Sequence, residues 1–145
     1  MQIEIDLTNR TSRKVDRSFL RKIVRKTLGL SELRFAAVKL SLVLVKKAEI
    51  KGLNRIWRGK NQATDVLSFN YSSGYNKKKA LGTNRLEGEV ILAPEMIAES
   101  AKASGLRFQE ELAFVLSHGI LHLSGLRHGK KMYAIQDQVI ASNKK

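Results

Sequence analysis

A chain of 145 residues, 43% of them hydrophobic, is long enough to bury a core; this excludes disorder throughout and makes one domain, 1–145, the expectation. Without cysteine there is no disulfide, thiolate ligand or thiol nucleophile. Twenty-seven Lys and Arg against thirteen Asp and Glu give a net charge of +14, a surface that attracts polyanions, nucleic acid first and an anionic membrane second.

Residues 2–7 alternate, with Ile3, Ile5 and Leu7 on one side and Glu4 and Asp6 on the other, which predicts a half-buried strand. Asp16 predicts the N-cap of a helix with Leu20, Ile23, Val24, Thr27 and Leu28 as its buried stripe, stopped at Gly29. Arg17, Arg21 and Arg25 recur every fourth residue on another face, beside Lys22 and Lys26. A solvated face and an RNA-backbone contact explain that pattern equally well. Residues 38–45 predict a second strand. A helix follows with Ile50, Leu53, Asn54 and Trp57 on one side, ended by Arg58-Gly59.

Residues 63–69 predict a third strand, and 70–85, which carry Lys77, Lys78 and Lys79, a mobile loop inside the domain. Residues 88–93 predict a fourth strand, and Pro94 suits a first helical position. Beyond it lie three helices. The first covers about 95–104 and stops at Gly105, the second about 108–123 and stops at Gly125, and the last has Met132, Ile135 and Val139 as its stripe. The expected fold is α+β: one roughly four-stranded mixed sheet with packed helices and a helical C-terminal half. The start, MQIEIDLTNR, lacks the pattern of a secretory signal. The apolar run at 35–45 is broken by Lys39 and falls far short of the roughly 20 residues of a spanning helix. A soluble, cytoplasmic protein is expected.

All three histidines lie in HGILHLSGLRH (118–128). His118 and His122 are one helical turn apart on one face, and Gly125 lets the chain turn so that His128 can come back as a third ligand. One histidine on an apolar helix face reads as a core residue; three in this arrangement read as a metal site. Three imidazoles suit one zinc ion and leave a fourth position open, and another divalent transition metal such as nickel could take the same ligands. The spacing also matches H-E-x-x-H-x-x-G-x-x-H metalloproteases, but their glutamate base is Gly119 here. Glu110 and Glu111, two turns earlier, are poor substitutes. A phosphodiester is then a better substrate than a peptide, since its charge suits both the ion and the surface.

HGILHLSGLRH together with TDVLSF (64–69) resembles the YbeY family of metal-dependent single-strand endoribonucleases. That family has H-G-x-L-H-L-x-G-Y-D-H, an arginine-ended helix just before T-D-V-L-S-F, and a strand beginning Gly-Asp. The arginine corresponds to Arg58 and the strand start to Gly88-Glu89. The resemblance implies an α+β fold, zinc on His118, His122 and His128, and Arg58 acting with them at the catalytic cleft. It also implies small-subunit ribosomal RNA 3′-end maturation, ribosome quality control, and ribosomal proteins and an assembly GTPase as partners.

The chain departs from the family at Leu126-Arg127 for Tyr-Asp, at Asn70 for proline, at Glu89 for aspartate, and in a more basic 70–85 segment. Asp65 is the nearest candidate base by motif, although a bond within its own turn or to a histidine ring suits it better. Thr64 and Ser68 are expected to satisfy backbone groups. Two other functions compete: a zinc hydrolase of another bond, peptidase-like, and a zinc-tied assembly factor that binds ribosomal RNA or the ribosome with little catalysis. The aromatic residues sit mostly at core-like positions, so no base-stacking platform is expected.

Overall fold

Among the described residues, alternating and continuous apolar runs become four strands, and the stretches of helical period become five helices. In chain order they are β1 (Gln2–Asn9), α1 (Arg17–Leu30), β2 (Ala37–Leu44), α2 (Lys47–Arg58), β3 (Val66–Asn70), β4 (Arg85–Leu92), α3 (Pro94–Ser104), α4 (Phe108–Leu123) and α5 (Lys130–Ala141). The computed structural model describes residues 2–31, 35–72, 85–125 and 129–141. The sheet order is β1-β2-β4-β3, with β1, β2 and β4 parallel and β3 antiparallel at the edge. A mixed four-stranded sheet is the expected α+β architecture. Most of the segment predicted as a mobile loop, including Lys77, Lys78 and Lys79, lies outside the described residues.

The two sheet faces are covered unequally. Val38, Leu40, Leu42 and Leu44 of β2 and Leu86, Val90 and Leu92 of β4 join Leu20, Ile23 and Val24 of α1 and Leu112, Leu116 and Ile120 of α4 in the larger core. Burying one such side chain contributes about 1.5–3 kcal/mol. The opposite face has a smaller cluster of Val43, Val45, Ile50, Leu67, Ile91 and Ala93 beneath α2. Farther toward β1 that face carries exposed Glu4, Asp6, Lys39 and Glu87.

Asp16 caps α1 by accepting from the Ser18 and Phe19 amides at 2.9 and 3.3 Å, a contribution of about 1 kcal/mol. Gly29 does not stop the helix as expected. The Ser31 amide still donates to the Thr27 carbonyl, and Ser31 itself is extended and buried, so no left-handed residue is needed. Strand bounds also shift. β4 begins at Arg85, before the predicted 88, and β3 begins at Val66 because residues 63–65 form its entry turn. There the Asp65 carbonyl accepts from the Ala93 amide at 2.9 Å.

The smaller cluster also explains a departure in α2. Ile50 and Asn54 are buried and Leu53 is half-buried, but Trp57 is 65% exposed. The apolar stripe is longer than the surface available to cover it.

α4 is the central helix. It packs against α1, α3, α5 and the β3–β4 side of the sheet, and nearly all its residues from Glu111 to Leu123 are buried. Such a helix is held by packing all around. Its approach to the sheet depends on two glycines. A Cβ at Gly119 would lie 3.1 Å from methyls of both Val66 and Val90, and one at Gly88 would lie 2.7 Å from the Phe69 carbonyl oxygen and 2.6 Å from Leu123. Among the described residues no helix is long and apolar enough to cross a membrane.

Candidate active site

Packing α4 onto the antiparallel edge of the sheet leaves an open cleft of about 530 Å³. One wall is α4, with Phe114, His118 and His122, joined by Tyr133 of α5. The other is the end of α2 and the entry to β3, with Arg58, Lys60 and residues 64–68.

His118 and His122 share the cleft-facing side of α4, as the spacing predicts. Their ring centroids are 5.0 Å apart with an interplanar angle of 67°. Phe114, one turn earlier, stacks near-parallel to His118 at 6.4 Å. The Phe114 carbonyl accepts from the Nε2 of fully buried Gln136 at 3.0 Å, which ties α5 to this part of α4. The His118 ring is half-buried between these elements, and His122 is exposed at the mouth. His128, Leu126 and Arg127 lie outside the described residues. Among the described residues no group of three His, Cys, Asp or Glu side chains is arranged to hold a metal ion.

The C-terminal end of α4 is tied to β3. Asn70 Nδ2 donates to the Leu123 carbonyl at 3.0 Å, while Asn70 Oδ1 accepts from the Ser72 amide at 2.7 Å. The first bond satisfies one of the carbonyls a helix leaves open at its end, a gain of about 1 kcal/mol. A proline here could not donate it. Gly125 follows with φ 86°, the turn predicted from its type.

Arg58 ends α2 and reaches the cleft edge. Its Nη2 donates to the Ser68 carbonyl at 3.2 Å, and its guanidinium carbon is 5.9 Å from the centre of the Phe69 ring. Asp65 lines the cleft and accepts from Thr64 Oγ1 at 3.4 Å, a bond within its own turn. The Thr64 hydroxyl therefore serves a carboxylate rather than a backbone group, and Ser68 contributes its carbonyl.

Two features go beyond the sequence expectation. Distance along the helix sets Glu111 aside, yet positions 111, 115, 118 and 122 follow one helical face. Glu111 is only 9% exposed, and burial first, then the charge of Asp65, raises its pKa above the usual carboxyl value. The periodicity that pairs the histidines would have found it. The aromatic residues also need correction: Trp57 is mostly exposed, and Tyr133 lines the cleft with 48% of its surface open. Tyr71 is exposed as well, and its hydroxyl donates to Glu89 at 3.3 Å. Burial first, then Glu89, raises the Tyr71 pKa.

The sequence profile of the family described as Endoribonuclease YbeY matches residues 6–142. Curated relatives named Endoribonuclease YbeY include one from Halalkalibacterium halodurans, 33% identical over 98% of this chain and 96% of its own. Another, from Sulfurihydrogenibium, is 36% identical over 88% and 84%. A solution structure of a Thermotoga maritima protein aligns with 94% of this chain and 86% of its own, at a TM-score of 0.58 and 29% identity. Profile, relatives and fold agree with the histidine and TDVLSF motifs, and the chain belongs to the Endoribonuclease YbeY family.

Proposed function

We propose that this endoribonuclease cuts single-stranded ribosomal RNA, using one divalent ion held by His118, His122 and His128 and a phosphate grip supplied by Arg58. The observation that carries the reading is the shared cleft: Arg58 and the paired rings of His118 and His122 line one solvent-open space. The donors suit the ion. Two imidazoles one turn apart and edge to face are the ligands a helix offers to zinc, with nickel or a similar metal as the alternative. When bound, such an ion polarises a phosphoryl oxygen and lowers the pKa of its water.

The chain's own groups do the rest. The Arg58 guanidinium offers a planar fork to two phosphate oxygens, and it rests meanwhile on a neutral carbonyl that it can leave. Lys60 adds charge without a fixed geometry. Glu111 holds a proton to higher pH than an isolated carboxyl because it is buried near Asp65.

A peptidase is disfavoured by the same helix. Gly119 is wedged against Val66 and Val90, where a protease carries its glutamate base. The substrate we favour is the 3′ region of small-subunit ribosomal RNA in the cytoplasm, in maturation and ribosome quality control, with ribosomal proteins and an assembly GTPase as partners.

The test uses metal-loaded protein, chelated protein, and the H118A and H122A variants on a structured ribosomal RNA fragment. Cleavage should disappear on chelation, return with zinc, and be absent in both variants while RNA binding persists. Cleavage that survives in both variants overturns the reading. RNA binding without cleavage by the loaded protein identifies an assembly factor instead. Product ends decide the nucleophile: a 5′-phosphate marks water, and a 2′,3′-cyclic phosphate the neighbouring hydroxyl.

A further inference from the structure

Trp57 is the chain's one tryptophan, and it stands beyond the cluster that covers the earlier part of α2. It occupies the last turn of α2, where Ile56 is 67% exposed and Trp57 65%. Among the described residues its ring contact is with Phe69, edge to face at 6.1 Å. Most of the indole is left to solvent. Phe69 also faces the Arg58 guanidinium, so Trp57 and Arg58 flank one ring, and of these three residues Arg58 is the one that lines the cleft. The same turn carries Arg55, and Lys60 follows just beyond it. Across the cleft, Tyr133 is half-exposed.

An open aromatic face beside a row of cations suits a flexible polyanion whose units carry flat rings. Single-strand binders use this combination, with bases on the aromatic faces and phosphates on the cations. A protein partner has less reason to choose a surface with Arg55, Arg58 and Lys60 together, on a chain of net charge +14. We propose that Trp57 is a base-stacking residue for the nucleotide next to the phosphate held by Arg58, with Tyr133 the second aromatic surface on the opposite wall.

The proposal rests on the endonuclease reading and deepens it. Successive helix residues point about 100° apart, so Trp57 and Arg58 can hold a base and an adjacent phosphate side by side. A base inside a duplex is already stacked on both faces and offers none to the indole. Trp57 therefore selects unpaired strands by stacking, without reading base identity.

The single tryptophan makes the test direct. The intact protein is titrated with a short single-stranded RNA, with its duplex, and with an abasic strand of equal phosphate number, while Trp57 fluorescence and cleavage are followed. Single-stranded RNA should quench the fluorescence, and the duplex and abasic strand should not. Trp57→Ala should weaken single-strand binding about tenfold and leave abasic binding unchanged, with Trp57→Phe recovering most of the loss. Tyr133→Ala should give a smaller loss of the same kind. Unchanged thermal melting separates these effects from misfolding.

Equal quenching by all three strands overturns the proposal. So does a Trp57→Ala protein that binds and cuts single-stranded RNA as the parent does, although the endonuclease reading then stands. A parent protein that neither binds nor cuts RNA overturns both.

Discussion

On the α4 wall of the cleft, His118 and His122 stand on a helix whose other residues from Glu111 to Leu123 are nearly all buried, and Phe114 and Gln136 fix the turn before them. On the α2–β3 wall, Arg58 and Trp57 stand on a helix end whose side chains are mostly open, with one hydrogen bond from Arg58 to Ser68 and an edge contact from Trp57 to Phe69. The difference follows the two tasks. A metal ion tolerates little variation in ligand position, so it suits the proposal that two of its ligands, His118 and His122, stand on the most tightly packed helix. A flexible strand varies in shape, so the groups proposed to hold it gain from long, exposed side chains that can adjust.

Three substitutions sharpen that contrast. The largest effect on turnover is expected from Arg58→Ala: single-turnover cleavage falls about a hundredfold, the loss typical of one donor to developing charge. Metal content and melting temperature stay unchanged, because the side chain adds one exposed bond to the fold. On the other wall, Gly119→Glu should damage stability before chemistry. The new side chain meets Val66 and Val90, and overpacking alone costs about 1–3 kcal/mol. Urea unfolding measures the loss, and casein stays uncut although the sequence then matches a protease motif.

The smallest effect concerns Glu111. Its folded pKa lies above the ordinary carboxyl value near 4.5, so the folded state binds its proton more tightly than the unfolded chain. Stability from this group is greatest below that ordinary value and falls as pH rises through the raised one. Glu111→Gln removes the dependence. Its melting temperature relative to the parent, measured on chelated protein, should rise as pH climbs from the ordinary carboxyl value near 4.5 through the raised one. A gap that stays constant with pH would contradict the assignment.

Much of the α4 wall was legible in the sequence because it depends on local rules. The i, i+4 histidines, the Gly125 turn and the helix bounds all follow from period and residue type. The opposite wall was less legible, because exposure is set by how far the sheet extends beneath a helix. Helical spacing put Trp57 on one side of α2 with Ile50, Leu53 and Asn54, but the cluster under α2 ends before reaching it. Gly29 shows the same limit: a glycine near a helix end did not stop it, because an ordinary bond from Ser31 completed the last turn. Arg58 was legible only through the family resemblance, since nothing local distinguishes it from the other arginines.

The bond from Arg58 to the Ser68 carbonyl also bears on solubility. Among the described residues β3 pairs with β4 on one side only, and a strand with an open side can recruit another chain. A guanidinium on that open side puts a charged, non-peptide group where a foreign strand would have to dock. The charge that a foreign strand would have to displace is thus the one proposed to hold substrate. Arg58→Ala protein held concentrated without nucleic acid should clump sooner than its parent.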